Sequence, residues 1–232
     1  MKIFAISDLH LSISESKPMD IFGGAWDNYL EEITANWRAE ISDDDLVLIA
    51  GDISWAMTFE KAKPDLDYIA ALPGKKVILR GNHDYWWKSI SYMRANFPAS
   101  IYAVQNDCLR FGDTLVFGSR GWVCPEGKQT AEDEKIYKRE IERMKLCLSA
   151  LNKMKKDGDR VIAMIHYPPF NSRRESSPFT DIFEQAGAES VIYGHLHGRG
   201  IRMSRVIELN GIKYYLTSCD QVGNKPVFIG DR

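Results

Sequence analysis

All five histidines of this 232-residue chain stand where an apolar run gives way to polar residues. His10 closes Asp8-Leu9-His10 after the run that starts at Lys2, and Asn82-His83-Asp84 follow Val77-Ile78-Leu79-Arg80-Gly81. His166 comes directly after Val161 to Ile165, and His195-Leu196-His197 come after Ser190 to Tyr193 and Gly194. A fifth run, Leu46 to Ala50, delivers Gly51-Asp52. One histidine in such a place reads as an ordinary core or surface residue; five in a row do not. Hard carboxylate and amide oxygens mixed with imidazole nitrogens suit manganese, iron or zinc better than calcium or a thiolate cluster. In Asp8-x-His10 and His195-x-His197 the two-residue step points both side chains the same way from an extended segment. The ligands outnumber what one tetrahedral ion takes, so the set predicts a two-metal site. Two such ions about 3.5–4 Å apart clamp both the attacking and the departing oxygen of an in-line displacement.

These ligands need strands to carry them and helices between the strands. Short β-rich apolar runs are read at residues 2–7, 46–50, 75–79, 161–165 and 190–193, each ending in polar groups where open α/β sheets keep their ligand sites. Apolar residues at three- and four-residue steps predict helices over 26–41, 59–72, 88–97 and 130–156, with a short one over 181–186. Pro64 is placed near the first turn of the second of these. Residues 100–104, 108–111 and 114–117 read as short strands forming a second sheet or a mixed sheet edge, with Gly112-Asp113 as a hairpin turn. Asn210-Gly211 divides a closing hairpin of residues 201–209 and 213–218. No repeat, low-complexity tract or linker divides the chain, so residues 1–232 are expected to form a single domain.

Composition excludes several function classes. With 30 basic and 32 acidic residues, net −2, there is no electrostatic footprint for nucleic acid or a membrane surface. No apolar segment approaches the roughly 20 residues that span a bilayer, and the amino terminus turns polar too soon for a signal-peptide core. Cys108, Cys124, Cys147 and Cys219 include no Cys-x-x-Cys pair. They read as reduced thiols of a cytoplasmic protein and argue against a zinc-thiolate site.

The ordered set Asp8-x-His10, Gly51-Asp52, Gly81-Asn82-His83-Asp84, His166 and Gly194-His195-x-His197 resembles the calcineurin-like metallophosphoesterase superfamily. Each motif is weak alone; five in order, from residue 8 to 197, are specific. The resemblance implies a four-layer α/β/β/α sandwich with two mixed β-sheets and the site at the carboxyl ends of the strands. It implies that Asp8, His10 and His197 hold one metal with Asp52, that Asn82, His166 and His195 hold the other, and that Asp52 bridges. A metal-bridging hydroxide would be the nucleophile, His83 the general acid for the leaving alkoxide, and Asp84 the group that orients and polarises His83.

The set departs from the protein Ser/Thr phosphatase branch, which has glycine where Leu11 stands and Asp-Arg-Gly where Ile53-Ser54-Trp55 stands. It also departs from the lipid-A pathway pyrophosphatase, which has arginine in place of His83. It is most similar to small bacterial phosphohydrolases and cyclic-nucleotide-type phosphodiesterases. The expected activity is therefore hydrolysis of a small phosphorylated substrate, a phosphodiester ahead of a phosphomonoester or pyrophosphate. A scaffold that has lost catalysis is the contrary reading, and the complete ligand set argues against it. Trp55 and the Tyr85-Trp86-Trp87 run are placed to wall the site or to pack beneath it. Arg173 and Arg174, with Arg120 or Arg199, are placed to clamp a phosphate.

Overall fold

A computed structural model describes every residue except 16, 18, 20, 22, 199, 202, 203 and 232. The first sheet contains β1 (Lys2–Ala5), β2 (Leu46–Ile49), β3 (Lys75–Ile78) and β4 (Ile101–Ala103), all parallel, with β11 (Val227–Asp231) antiparallel on the outer side of β1. The second runs in the order β5 (Asp107–Phe111), β6 (Thr114–Ser119), β7 (Arg160–Ile165), β8 (Ser190–Tyr193), β10 (Ile212–Leu216) and β9 (Val206–Leu209). Its four inner strands are parallel and its two edges antiparallel.

Alternation along the strands builds the layers. Ile3, Leu48 and Val77 of the first sheet meet Val116, Ile162 and Ile192 of the second in one buried cluster between the sheets. The neighbours Phe4, Val47 and Ile78 face outward onto α1 (Tyr29–Glu40), α2 (Phe59–Ala70) and α3 (Ile90–Asn96). Leu115, Ala163 and Val191 likewise face α4 (Ala131–Met154) and α5 (Pro178–Ala186). Both faces of both sheets are covered, which is why the strands read as unbroken apolar runs. The result is the expected α/β/β/α sandwich of two mixed sheets.

Several boundaries differ from expectation. Trp26 precedes α1 and does not open it. Pro64 lies inside α2, in its second turn, and helix packing absorbs the one backbone hydrogen bond it removes. Helix α5 starts three residues early, because Ser177 forms a capping box with Thr180 and Pro178 occupies the first turn. The closing hairpin pairs only from Val206 onward, and residues 202 and 203 of its expected first strand lie outside the described residues. Strand β11 was not expected at all; Val227, Phe228 and Ile229 are too short a run to stand out.

Asp45 fastens the loop between α1 and β2. It accepts from the Ser42 N–H (2.9 Å), the Ser42 hydroxyl (2.7 Å) and the Lys2 N–H (2.6 Å). Burial pushes its carboxyl up, but those donors and the amino terminus outweigh burial and hold it below the ordinary value. Its contribution is therefore fully present above about pH 4 and is lost as the pH falls through that range. Asp45→Asn is expected to cost about 1–2 kcal/mol at pH 7 and less at pH 3, read as the pH dependence of urea midpoints. An equal cost at both values would mean that the charge is not what matters.

Candidate metal centre

Five of the strands end on one side of the sandwich, and the polar residues that follow them converge. Gly51, Gly81 and Gly194 let the loops approach. A Cβ on Gly81 would collide with the Asp52 carboxylate, and one on Gly194 with that of Asp8. The backbone is bent further at the site residues themselves. Asp8, His10, Asp52 and His195 have φ of 55°, 45°, 52° and 69°, a left-handed region that side-chain-bearing residues seldom adopt.

Two donor groups result. In the first, one ligand atom each from Asp8, His10 and His197 lie within 4.8 Å of one another; in the second, the same holds for Asp52, His166 and His195. Asn82 joins the second, its Oδ1 lying 2.7 Å from His166 Nε2 and 2.9 Å from His195 Nδ1. Asp52 Oδ2 lies between the groups, 3.5 Å from His166 Nε2 and 3.8 Å from His10 Nε2. Its other oxygen is occupied by the His83 N–H at 2.8 Å.

The residues fit metal ions. Asp52 Oδ2 and both ring nitrogens of His10 are buried without a hydrogen-bond partner, an arrangement that native interiors avoid unless something else fills it. His166 Nδ1 lies 2.8 Å from the Ala50 carbonyl, an acceptor that fixes the ring proton there and leaves Nε2 aimed at the oxygens of Asn82 and Asp52. Lone pairs converging this way need a cation or protons between them. The titration behaviour says the same. Burial, then the Asp52 charge, push Asp8 up to about 7. Burial drives His10 and His195 down to about 3. For His166 burial opposes the charge, but Asp52 outweighs it and lifts the imidazole to about 9.

The His83 ring lies 5.6 Å from that of His10 and 4.5 Å from Trp55, at the edge of the first group. Asp84 does not do what was expected of it. Fully buried, it accepts N–H groups from Asp52 (3.0 Å), Ile53 (2.9 Å), Ser54 (3.2 Å), Gly81 (2.7 Å) and the Trp86 indole (3.0 Å). Both oxygens are consumed in tying the Asp52 loop to the Gly81 loop, and no hydrogen bond to the His83 ring occurs among the described residues. Asp84→Ala strips five buried donors at once and should cost on the order of 4 kcal/mol, measured by urea unfolding of the metal-free protein. An unchanged midpoint with lowered turnover would restore the polarising role.

The other expected residues divide. Trp55 stacks on His10 with ring centroids 4.7 Å apart and walls the site. Trp86 and Trp87 are buried in the core, and Tyr85 is exposed. Arg173 and Arg174 are exposed. Arg173 pairs with Glu175 at 3.6 Å, and no ion pair or hydrogen bond joins either arginine to the donor groups. Arg120 turns instead to the buried Glu140 at 3.5 Å. Arg199 lies outside the described residues. Residues that the sequence reading missed support the centre from behind. Trp26 packs against His10 and His197, Tyr167 lies 4.2 Å from His195, and Ser218 donates to Asp8 at 2.7 Å.

Comparison with protein families now decides the matter: the model of the calcineurin-like phosphoesterases matches residues 1–199. The chain belongs to that family. As a calcineurin-like phosphoesterase it is a metal-dependent phosphohydrolase, an enzyme for a small phosphorylated substrate. No curated protein matches it. Two similar solved structures show the shared fold. One is a protein of unknown function from Aquifex aeolicus, 16% identical, with 97% of this chain and 94% of that one covered at a TM-score of 0.51. The other is a Thermus thermophilus protein, 13% identical, with 99% and 98% covered at a TM-score of 0.60. Among the described residues no helix is long and apolar enough to cross a membrane, and all four cysteines are buried free thiols.

Proposed function

We propose that this phosphoesterase hydrolyses a phosphodiester at a two-metal centre, in a single-domain chain. Asp8, His10 and His197 would hold one ion, Asn82, His166 and His195 the other, and Asp52 would bridge. The observation that carries this reading is Asp52 Oδ2, buried without a partner and within 3.8 Å of an imidazole from each donor group. Bound there, manganese, iron or zinc would supply an activated water and neutralise charge on the phosphoryl oxygens.

The chain's own residues do the rest. Asp52 fixes the His83 loop through the His83 N–H, so the ring stands at the edge of the centre. In the reaction the water oxygen forms the new bond to phosphorus while the ester P–O bond opposite it breaks. The departing alkoxide takes a proton, which His83 is placed to give. The products are a phosphomonoester and an alcohol. A diester, with its single negative charge, is favoured because two of the described arginines expected to clamp a phosphate are paired elsewhere, Arg173 with Glu175 and Arg120 with Glu140. Trp55 packs beside His83 on the same side of the centre, with ring centroids 4.5 Å apart.

The test is hydrolysis of bis-p-nitrophenyl phosphate and p-nitrophenyl phosphate, side by side, by manganese-loaded protein. Faster turnover of the diester is expected. Faster turnover of the monoester would make the protein a phosphomonoesterase, and no turnover of either with metals bound would point to the scaffold reading.

A further inference from the structure

We propose that an apolar recess beside His195 receives the second ester arm of the diester, the one that stays on phosphorus, and that this arm is a single uncharged ring system. The inference rests on the two-metal reading above and adds what the substrate must look like. The recess holds about 280 Å³ and is walled by Val123, Cys124, Phe170, Leu196 and Ile201, with His195 also in its lining. His195 is in the second donor group, whereas His83 stands against the first. A phosphorus atom seated between the groups thus has a proton donor on one side and an apolar hollow on the other. A diester has two arms for these two places, and a monoester has only one.

Size and charge narrow the arm. The volume falls just short of the roughly 300–1,000 Å³ of pockets that take a whole small ligand, so the recess accommodates part of one. Among the described residues its one charged lining group is Glu126, which accepts the Ser172 N–H. A carboxylate beside an apolar wall disfavours a second phosphate over an uncharged arm, since among the described lining residues no cation would compensate its desolvation. Cys124 adds no reactive anion. Its thiol faces the Pro168 carbonyl, and burial pushes it up to about 11.

The experiment keeps the leaving group constant and varies the retained arm. On the manganese-loaded protein, phenyl p-nitrophenyl phosphate should exceed methyl p-nitrophenyl phosphate in kcat/KM by about 10–100-fold, the effect of burying one aromatic ring. Diphenyl phosphate should likewise inhibit more tightly than dimethyl phosphate. Val123 is 50% exposed and so tolerates substitution. Val123→Asp should remove both preferences, and Ile201→Ala should weaken them. Equal values for the two esters on the unaltered protein, or equal losses of both in Val123→Asp, overturn the recess assignment and leave the two-metal reading standing. No turnover of any ester overturns both.

Discussion

Asp52→Asn should yield a folded protein that manganese no longer stabilises and whose turnover is lost by at least about 10⁴-fold. The amide keeps the oxygen that accepts the His83 N–H, so the loop has no reason to collapse. What disappears is the negative oxygen between the two donor groups. In the metal-free protein burial works against that carboxylate, but the His166 imidazole 3.5 Å away outweighs burial and holds the Asp52 carboxyl below its ordinary value. Metal-free Asp52→Asn should therefore still fold but be somewhat less stable than the unaltered protein, because the His166 imidazolium loses its partner. The decisive difference appears on adding metal. A ligand at 100 times its Kd adds about 2.7 kcal/mol to a protein that binds it only when folded, and the variant should gain almost none of this. Thermal unfolding with and without manganese, paired with metal content after desalting, reads both halves. Two ions retained by the variant would remove Asp52 from the bridging position.

His83→Ala is expected to act on the other side of the problem. Its backbone N–H still reaches Asp52, so metal content and metal-induced stabilisation should not change. Only proton delivery to the leaving oxygen is lost, at about 10²–10⁴ in kcat for a poor leaving group such as an alkoxide. For p-nitrophenolate, which departs without help, the loss should be far smaller. This dependence on the leaving group separates a proton donor from a residue that merely packs against Trp55. A loss of the same size for both kinds of ester would assign His83 a positioning role.

Much of this centre could be read from the chain because a strand buried on both faces has a recognisable end. Ile49-Ala50-Gly51-Asp52 and Tyr193-Gly194-His195 announce both the strand and the ligand in one stretch of sequence, and in a parallel sheet such ends share one side. The failures have one physical cause: they depend on which distant backbone group a side chain meets. Asp84 sits two residues from Asn82, but its donors come from the loop after β2 as well as from its own turn. Ser218 follows β10 in the same way that the ligands follow their strands, yet a hydroxyl is not a metal-type ligand and carries no such signal in sequence. The spacing of Trp26 predicts a helix face, whereas the chain folds it in ahead of α1 and against His10. Arg173 and Arg174 follow His166 closely in sequence and carry the right charge, but both are exposed.

The left-handed backbone at Asp8, His10, Asp52 and His195 has a consequence for anyone improving this protein by selection. At each of these positions glycine would relax the chain, so a screen rewarding heat resistance alone is drawn toward the residues that make the enzyme. Its winners would be robust and inert. A library for a hardier catalyst has to hold these four codons fixed, or be scored on hydrolysis after heating.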